Sequence, residues 1–341
     1  MCYERADIIR TALAALLKSD GLGEIDVFIS QDGGSNYTME VPDAPGINLH
    51  YIRHPVNLCP GQHHHLVKWF VFEVMKYDYL MVVEEDNVLH PDALKVLRGL
   101  LVSTVNEREI GLVVVNDCDN SVLVDASRFD AAAVRWNIDK GHLWVFGLHR
   151  SRFEAVYGDL LEYLLIIVGQ DYSQVDQPPL QPEIVRLHER KGFPAGTKLS
   201  QDAFFVHSLA RAGYTSRAAT LLRLFEPIGW QGLHFRESAE SFFNQFGRGM
   251  YSARVKNEPR EVGRTKEEME VLVSECHKRL DVLYREILGR DADTKARDIL
   301  TERFLTGKLN AVEVVHRMRN GAEAKRRMEQ QKRIARLQSS L

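Results

Sequence analysis

Three consecutive carboxylates, Glu84-Glu85-Asp86, follow directly on the apolar run Tyr79-Leu80-Met81-Val82-Val83. A short continuous run of this kind predicts a strand buried on both faces of a sheet. Clustered carboxylates repel one another and resist desolvation. A hard divalent cation such as Mn²⁺ or Mg²⁺ removes that cost, because such ions take oxygen ligands. Side chains alternate along an extended chain, so Glu84 and Asp86 share one side and Glu85 faces the other. The competing reading is an acidic strand end solvated in a loop.

Other polar groups fall at comparable places. Asp32 lies in the turn Gln31-Asp32-Gly33-Gly34 after a strand over 24–30, and Asn116 and Asp117 follow the apolar run 110–115. In open α/β sheets the carboxyl ends of strands are where ligands sit. Asp202 falls in the first turn of a helix that Ser200 caps and Gly213 ends. It reads either as an acid favoured by the helix dipole or as a catalytic carboxylate. His234, in the Gly-rich aromatic loop 229–235, is a candidate ligand for phosphate or metal. The triplet His63-His64-His65 cannot grip one ion from a helix, where neighbours point about 100° apart. A single member touching a ligand phosphate or sugar is the better reading.

The elements that must position these groups alternate in type. Helical spacing covers 6–18, a strand 24–30, a second strand 48–53, and a mostly buried helix 63–75 that feeds the strand 79–86. Pro91 opens the helix 91–102 and Asp92 suits its positive end. A strand over 110–115, another over 141–148 with Trp144, a helix over 151–163 and a Pro-rich loop over 171–182 precede the Asp202 helix. The order predicts an α/β sheet whose first strand is missing, with Met1-Cys2-Tyr3 as the end of it.

The 341 residues allow one large α/β domain, 1–255, and an appendage, 265–341. A net charge of −3 gives no argument for nucleic acid. Residues 264–341 nevertheless carry 18 Lys and Arg against 13 Asp and Glu. They contain no proline and read as helical throughout, ending in a strongly charged stretch from 322. That stretch is either a solvated helix or a basic surface for peripheral contact with an anionic membrane or a partner. Four scattered cysteines show no zinc spacing and predict reduced thiols in a cytoplasmic protein. No window approaches 18 apolar residues, so no membrane span is predicted.

Several of these pieces together resemble the GT-A glycosyltransferases, and more narrowly the N-acetylglucosaminyltransferase I family, glycosyltransferase family 13. They are Cys2-Tyr3-Glu4-Arg5 before a helix, Ile29-Ser30-Gln31-Asp32-Gly33, and Val82-Val83-Glu84-Glu85-Asp86 with Pro91-Asp92 behind it. Val124-Asp125-Ala126-Ser127-Arg128, the 141–148 segment and Asp202 before its helix also match. The resemblance covers about residues 1–250. It implies a GT-A-like mixed sheet flanked by helices, followed by an all-α C-terminal region. It also implies an inverting, metal-dependent transferase that moves a sugar from a UDP-sugar donor to a hydroxyl of a glycan or protein acceptor. Arg5 and Asp32 would hold the nucleotide, Glu84 would face the donor sugar, Glu85 the nucleotide, and Asp86 would ligate Mn²⁺ or Mg²⁺. Asp202 would be the general base, and His234 would sit in a loop closing over the diphosphate. The family more often has Glu-Asp-Asp where this chain has Glu84-Glu85-Asp86. Residues 280–293 with 304–318 resemble a small helical module appended to many bacterial carbohydrate-related proteins. A nucleotidyltransferase is the alternative enzyme, although Tyr3-Glu4-Arg5-Ala6 lacks the Gly-rich phosphate loop that class uses. A non-catalytic sugar- or nucleotide-binding scaffold is the alternative from another class.

Overall fold

Apolar residues at helical spacing near the N-terminus bury Ile9 and Ala12 on one face of the first helix. The computed structural model describes residues 1–115, 133–139, 141–169, 181–220, 223–230, 238–246, 250, 266–305 and 311–329. In chain order the strands are β1 (Asp26–Gln31), β2 (Asn48–Arg53), β3 (Tyr79–Val83), β4 (Asn87–Leu89), β5 (Ile110–Val114), β6 (Ala133–Asn137), β7 (Val145–His149), β8 (Ser216–Thr220) and β9 (Phe225–Pro227). The helices are α1 (Ala6–Leu16), α2 (Cys59–Trp69), α3 (Ala93–Thr104), α4 (Arg150–Ile167), α5 (Gln181–Lys191), α6 (Gln201–Arg211), α7 (Ala239–Phe246), α8 (Lys266–Leu288), α9 (Thr294–Leu305) and α10 (Ala311–Asn320).

The chain is thus mixed α/β, with a central sheet of order β3-β7-β5-β8-β6. Within it β5 and β8 run parallel, whereas the other pairings are antiparallel. β1 and β2 form a separate parallel pair, and β4 with β9 an antiparallel ribbon. β5, and β7 up to its last residue His149, are apolar, and both strands are buried at all five positions. Phe146, Leu148, Val113, Leu97, Leu100, Phe153 and Phe204 share the core between sheet and helices. Cys276, Leu280 and Tyr284 of α8 and Val314 and Met318 of α10 join the same buried cluster. None of the described helices is long and apolar enough to cross a membrane.

The first residues lie between the two parallel systems. Cys2 bridges Gln31 in parallel, its N–H donating to Ser30 O at 2.9 Å and its carbonyl accepting from Asp32 N at 2.8 Å. The Met1 ammonium donates to Val83 O at 2.9 Å on the other side. The expected strand stub is therefore present, seated between β1 and β3.

Two local expectations change. The strand 79–83 alternates instead of being buried on both faces: Leu80 and Val82 are buried, Met81 and Val83 only half-buried. Its edge away from β7 meets just the stub among the described residues, which leaves these side chains less covered. The helix expected over 63–75 starts earlier, at Cys59, and its end from Phe70 to Val74 is π-helical. Asn116, Asp117, the 124–128 segment, His234, most of the 171–182 loop and the tail from 330 lie outside the described residues.

Candidate active site

The junction of β3 and β4 turns the acidic trio to one end of the sheet. Glu84 N–H donates to Trp144 O at 3.1 Å, and Ile228 N–H donates to Asp86 O at 2.7 Å. Both neighbours of the trio, the segment before β7 and the segment after β9, are thus tied to its backbone.

Protein groups answer much of the trio's charge. Arg5 Nε donates to Glu85 Oε1 at 2.6 Å, and Arg5 Nη2 to Asp86 Oδ2 at 2.9 Å. Tyr3 N–H donates to Glu85 Oε2 at 2.5 Å. Such charge-assisted bonds are short and directional, and the guanidinium fork matches two carboxylates at once. The two acids offset burial and raise the Arg5 pKa above its ordinary value. Its remaining nitrogen, Nη1, is buried without a hydrogen-bond partner among the described residues. An orphaned guanidinium N–H costs free energy unless an acceptor arrives.

Glu84 faces the other way, so the expected pairing of Glu84 with Asp86 on one side does not hold: the strand ends at Val83, residues 85 and 86 form a turn, and Asp86 joins Glu85 on Arg5. Its Oε1 lies 3.0 Å from His64 Nε2. His64 Nδ1 lies 3.5 Å from the ammonium of Lys68, one helical turn along α2. An ammonium only donates, so Nδ1 accepts and Nε2 carries the proton that is given to Glu84. Lys68 is buried, between the rings of Phe146 and Phe205 at 5.6 and 4.8 Å. Burial pulls its pKa down to about 8 against the pull of Asp202 and Glu84. Burial, then the Lys68 charge, hold His64 at about 3, so the imidazole is neutral at pH 7. Burial and the neighbouring Asp86 and Glu85 charges push Glu84 up to about 8.

Asp202 reaches this group from far along the chain. Ser200 caps α6, its Oγ accepting from Ala203 N at 3.4 Å, which sets Asp202 in the first turn. Arg211 and Lys191 clamp Asp159 of α4 at 2.5 and 2.8 Å, and Tyr163 OH donates to Leu199 O at 2.7 Å. Those contacts pin both ends of α6 to α4. Asp202 accepts a bond from the side chain of Gln201. Its pKa is raised, first by burial; His64, Lys68 and His142 pull it back and Glu84 pushes it up. His142 stacks on Trp144 at 4.2 Å, which itself packs edge-on against Phe246.

The structure therefore brings Arg5, Glu84, Glu85, Asp86 and Asp202 to one place. Asp32 stands at the edge of it, on the far side of the Cys2 stub. Its Oδ1 accepts from Gly33 N at 2.9 Å and Leu58 N at 2.7 Å. Burial raises its pKa while those two backbone donors oppose the rise. The histidine triplet points three ways: His63 to Ser30 Oγ at 2.7 Å, His64 to Glu84, and His65 against Tyr157. His64 and Lys68 were not singled out by residue type, although their i, i+4 spacing places them on one helix face. A lysine inside Leu66-Val67-Lys68-Trp69-Phe70 was the available signal.

Among the described residues no three His, Cys, Asp or Glu side chains form a metal-ligand set. A Mg²⁺-type ion held by one carboxylate and by substrate phosphates needs no such set. Asp86 has the right oxygen chemistry, and the buried Asn87 Oδ1 beside it lacks a partner among the described residues. The donors present fit a hard cation that arrives with its ligand. Gly229 presses on this acid: a Cβ there would stand 2.2 Å from Asp86 Oδ2. Gly229→Ala is expected to displace the Asp86 carboxylate and to weaken any Mn²⁺ binding through that carboxylate at least tenfold. Titration calorimetry on the variant checks this, and unchanged affinity would separate Gly229 from the site.

No family model matches the chain, and no curated protein matches it.

Proposed function

We propose that this chain is an inverting, metal-dependent glycosyltransferase of GT-A type that transfers a sugar, N-acetylglucosamine in the closest reading, from a UDP-sugar to an acceptor hydroxyl. The observation that carries the reading is the convergence of Asp202 on the Glu84 end of the acidic trio, with the orphaned Arg5 Nη1 at the other end. A carboxylate at one side and an anion-seeking guanidinium at the other suit an acceptor proton and a diphosphate leaving group.

In this mechanism the acceptor oxygen attacks the anomeric carbon as its proton passes to the Asp202 carboxylate. The bond from that carbon to the diphosphate oxygen breaks, and the electron pair leaves with UDP. One displacement, with no enzyme nucleophile, inverts the anomeric centre. Arg5 Nη1 donates to the departing phosphate, whose growing charge the fixed guanidinium stabilises. Glu84, held by the neutral His64, orients the donor sugar, and Asp32 and Tyr3 border the nucleotide side. A divalent cation on Asp86 would supply Lewis-acid stabilisation of the diphosphate.

Calorimetric titration of UDP with and without Mn²⁺ tests the proposal. Binding that depends on Mn²⁺ is expected. UDP binding of equal strength without metal would assign charge neutralisation to Arg5 alone, and no binding in either condition would remove the transferase reading.

A further inference from the structure

The proposed transfer gives Lys68 no task, although a lysine is costly to bury. It is 3% exposed, and its ammonium lies between the rings of Phe146 and Phe205. Burial draws its pKa down only to about 8, so it is largely charged at pH 7. Asp202 and Glu84 act on that charge through space, not by a direct bond. The groups nearest to it are neutral.

His64 is the first of them. Lys68 Nζ stands 3.5 Å from Nδ1 and 3.4 Å from the carbonyl oxygen of His64, one turn back on α2. An ammonium donates and never accepts, so it selects the imidazole whose proton is on Nε2. That proton is directed at Glu84 Oε1, 3.0 Å away. Gln201 is the second. A cavity of about 20 Å³, room for one water molecule, is lined by Lys68, Gln201, His65, Tyr163 and Phe205. Gln201 Nε2 donates to Asp202 Oδ1. The amide's acceptor, Oε1, is on the other branch of the same carbon, and a cation across the cavity favours this arrangement. The flipped amide would point Oε1 at the carboxylate and its N–H groups at the ammonium, two repulsive contacts.

We propose, on the transferase reading above, that Lys68 is a positioning residue whose one ammonium orients two neutral side chains, His64 and Gln201, so that each hands an N–H to one site carboxylate. Glu84 and Asp202 are then each anchored by a single oxygen, Oε1 and Oδ1. Glu84 Oε2 meets a donor-sugar hydroxyl, and Asp202 Oδ2 takes the acceptor proton. The same charge keeps Asp202 ionised from a distance, as a base requires. A direct ion pair would instead occupy the oxygen that must receive the proton. The other titratable groups facing this cluster are His65 of α2 and Tyr163 of α4 at the cavity, and His142 before β7.

The test uses Lys68→Met in the full chain, which removes the charge and keeps the apolar stem. The variant is expected to melt at or above the wild-type temperature, because a buried charge gives way to an apolar group. Its kcat for sugar transfer should fall about ten- to a hundredfold, with Mn²⁺-dependent UDP affinity within about twofold of the wild type. Adding Gln201→Leu to this variant should cost less than Gln201→Leu costs alone, and fully additive losses would overturn the proposal. Two measurements need no turnover. Nitrogen NMR at pH 7 should find wild-type His64 in its Nε2–H form. Carbon NMR should find the Asp202 carboxyl titrating about one pH unit higher in Lys68→Met than in the wild type. An Nδ1–H His64, or an Asp202 midpoint that does not move, overturns the role of Lys68 even where sugar transfer is established. If both signals behave as expected while Mn²⁺-dependent UDP binding is absent, the transferase reading falls and the orienting role of Lys68 stands. Lys68→Gln repeats the comparison where the methionine variant is unstable. Unfolding of both variants makes Lys68 a structural cation and overturns the proposal.

Discussion

Asp202→Asn is expected to lower sugar transfer by a factor of about 10²–10⁴ while UDP binding persists, since removing a positioned base costs on that order. Asparagine keeps the shape and the acceptor oxygen for Gln201, so α6 and its Ser200 cap are left in place. What disappears, on the proposed mechanism, is the group that takes the acceptor's proton. The substitution also removes a negative charge from beside Lys68 and His64, so the Lys68 pKa should fall further. Transfer rates and UDP affinity measured on the same preparation decide the matter. Wild-type turnover would strip Asp202 of the base role, and joint loss of binding and turnover would make it a structural acid.

The second large effect is on stability against pH. The Glu84 pKa lies at about 8 in the fold, above its ordinary value of 4.5. The folded state therefore binds the proton more tightly than the unfolded chain, and Glu84 contributes a stability that declines as pH rises from about 4.5 to about 8. The limiting slope is about 1.4 kcal/mol per pH unit. His63, His64, His65 and His149 have pKa values lowered by burial and act oppositely below about 6.5, where the unfolded histidines take up protons first. Above about 7.5 those histidines are close to neutral in both states, so the upper part of the window belongs to the raised acids. Glu84→Gln should match the wild type near pH 5 and be the more stable protein at pH 8. Denaturant midpoints across that range measure the difference, and parallel pH profiles would show that Glu84 is charged throughout.

Some of this architecture was legible in the residues and some was not. The junction of Val83 with Glu84 announced both a strand and its polar end, because an apolar run cannot continue into three acids. Ser200 with Gly213 gave the helix that carries Asp202, because caps act locally. The meeting of Asp202 with Glu84 was not local. It depends on Asp159 gripping Arg211 and Lys191, contacts with no period or motif to betray them. Arg5 likewise had a resemblance to speak for it but no visible partners, since its acids lie at the far side of a long chain closure. The half-burial of Met81 and Val83 has a different cause: hydrophobic patterning reports what a side chain prefers and says nothing of what packs beside its strand. His64 and Lys68 stood in plain view as a helix-face pair, but a histidine triplet draws attention to itself as a unit.

The tie between the first five residues and the acidic trio also bears on the order in which the molecule assembles. Met1, Tyr3 and Arg5 bond groups at Val83, Glu85 and Asp86, each some eighty positions away. Such closures are entropically slow relative to the helices and to neighbouring strand pairs. α1 can form and β1 can find β2 well before the chain's beginning docks between β1 and β3. Charge neutralisation of Glu85 and Asp86 by Arg5 is therefore expected late in folding, as a slow phase lost in Arg5→Ala would show. The acidic end of the molecule would be repulsive until that docking is complete.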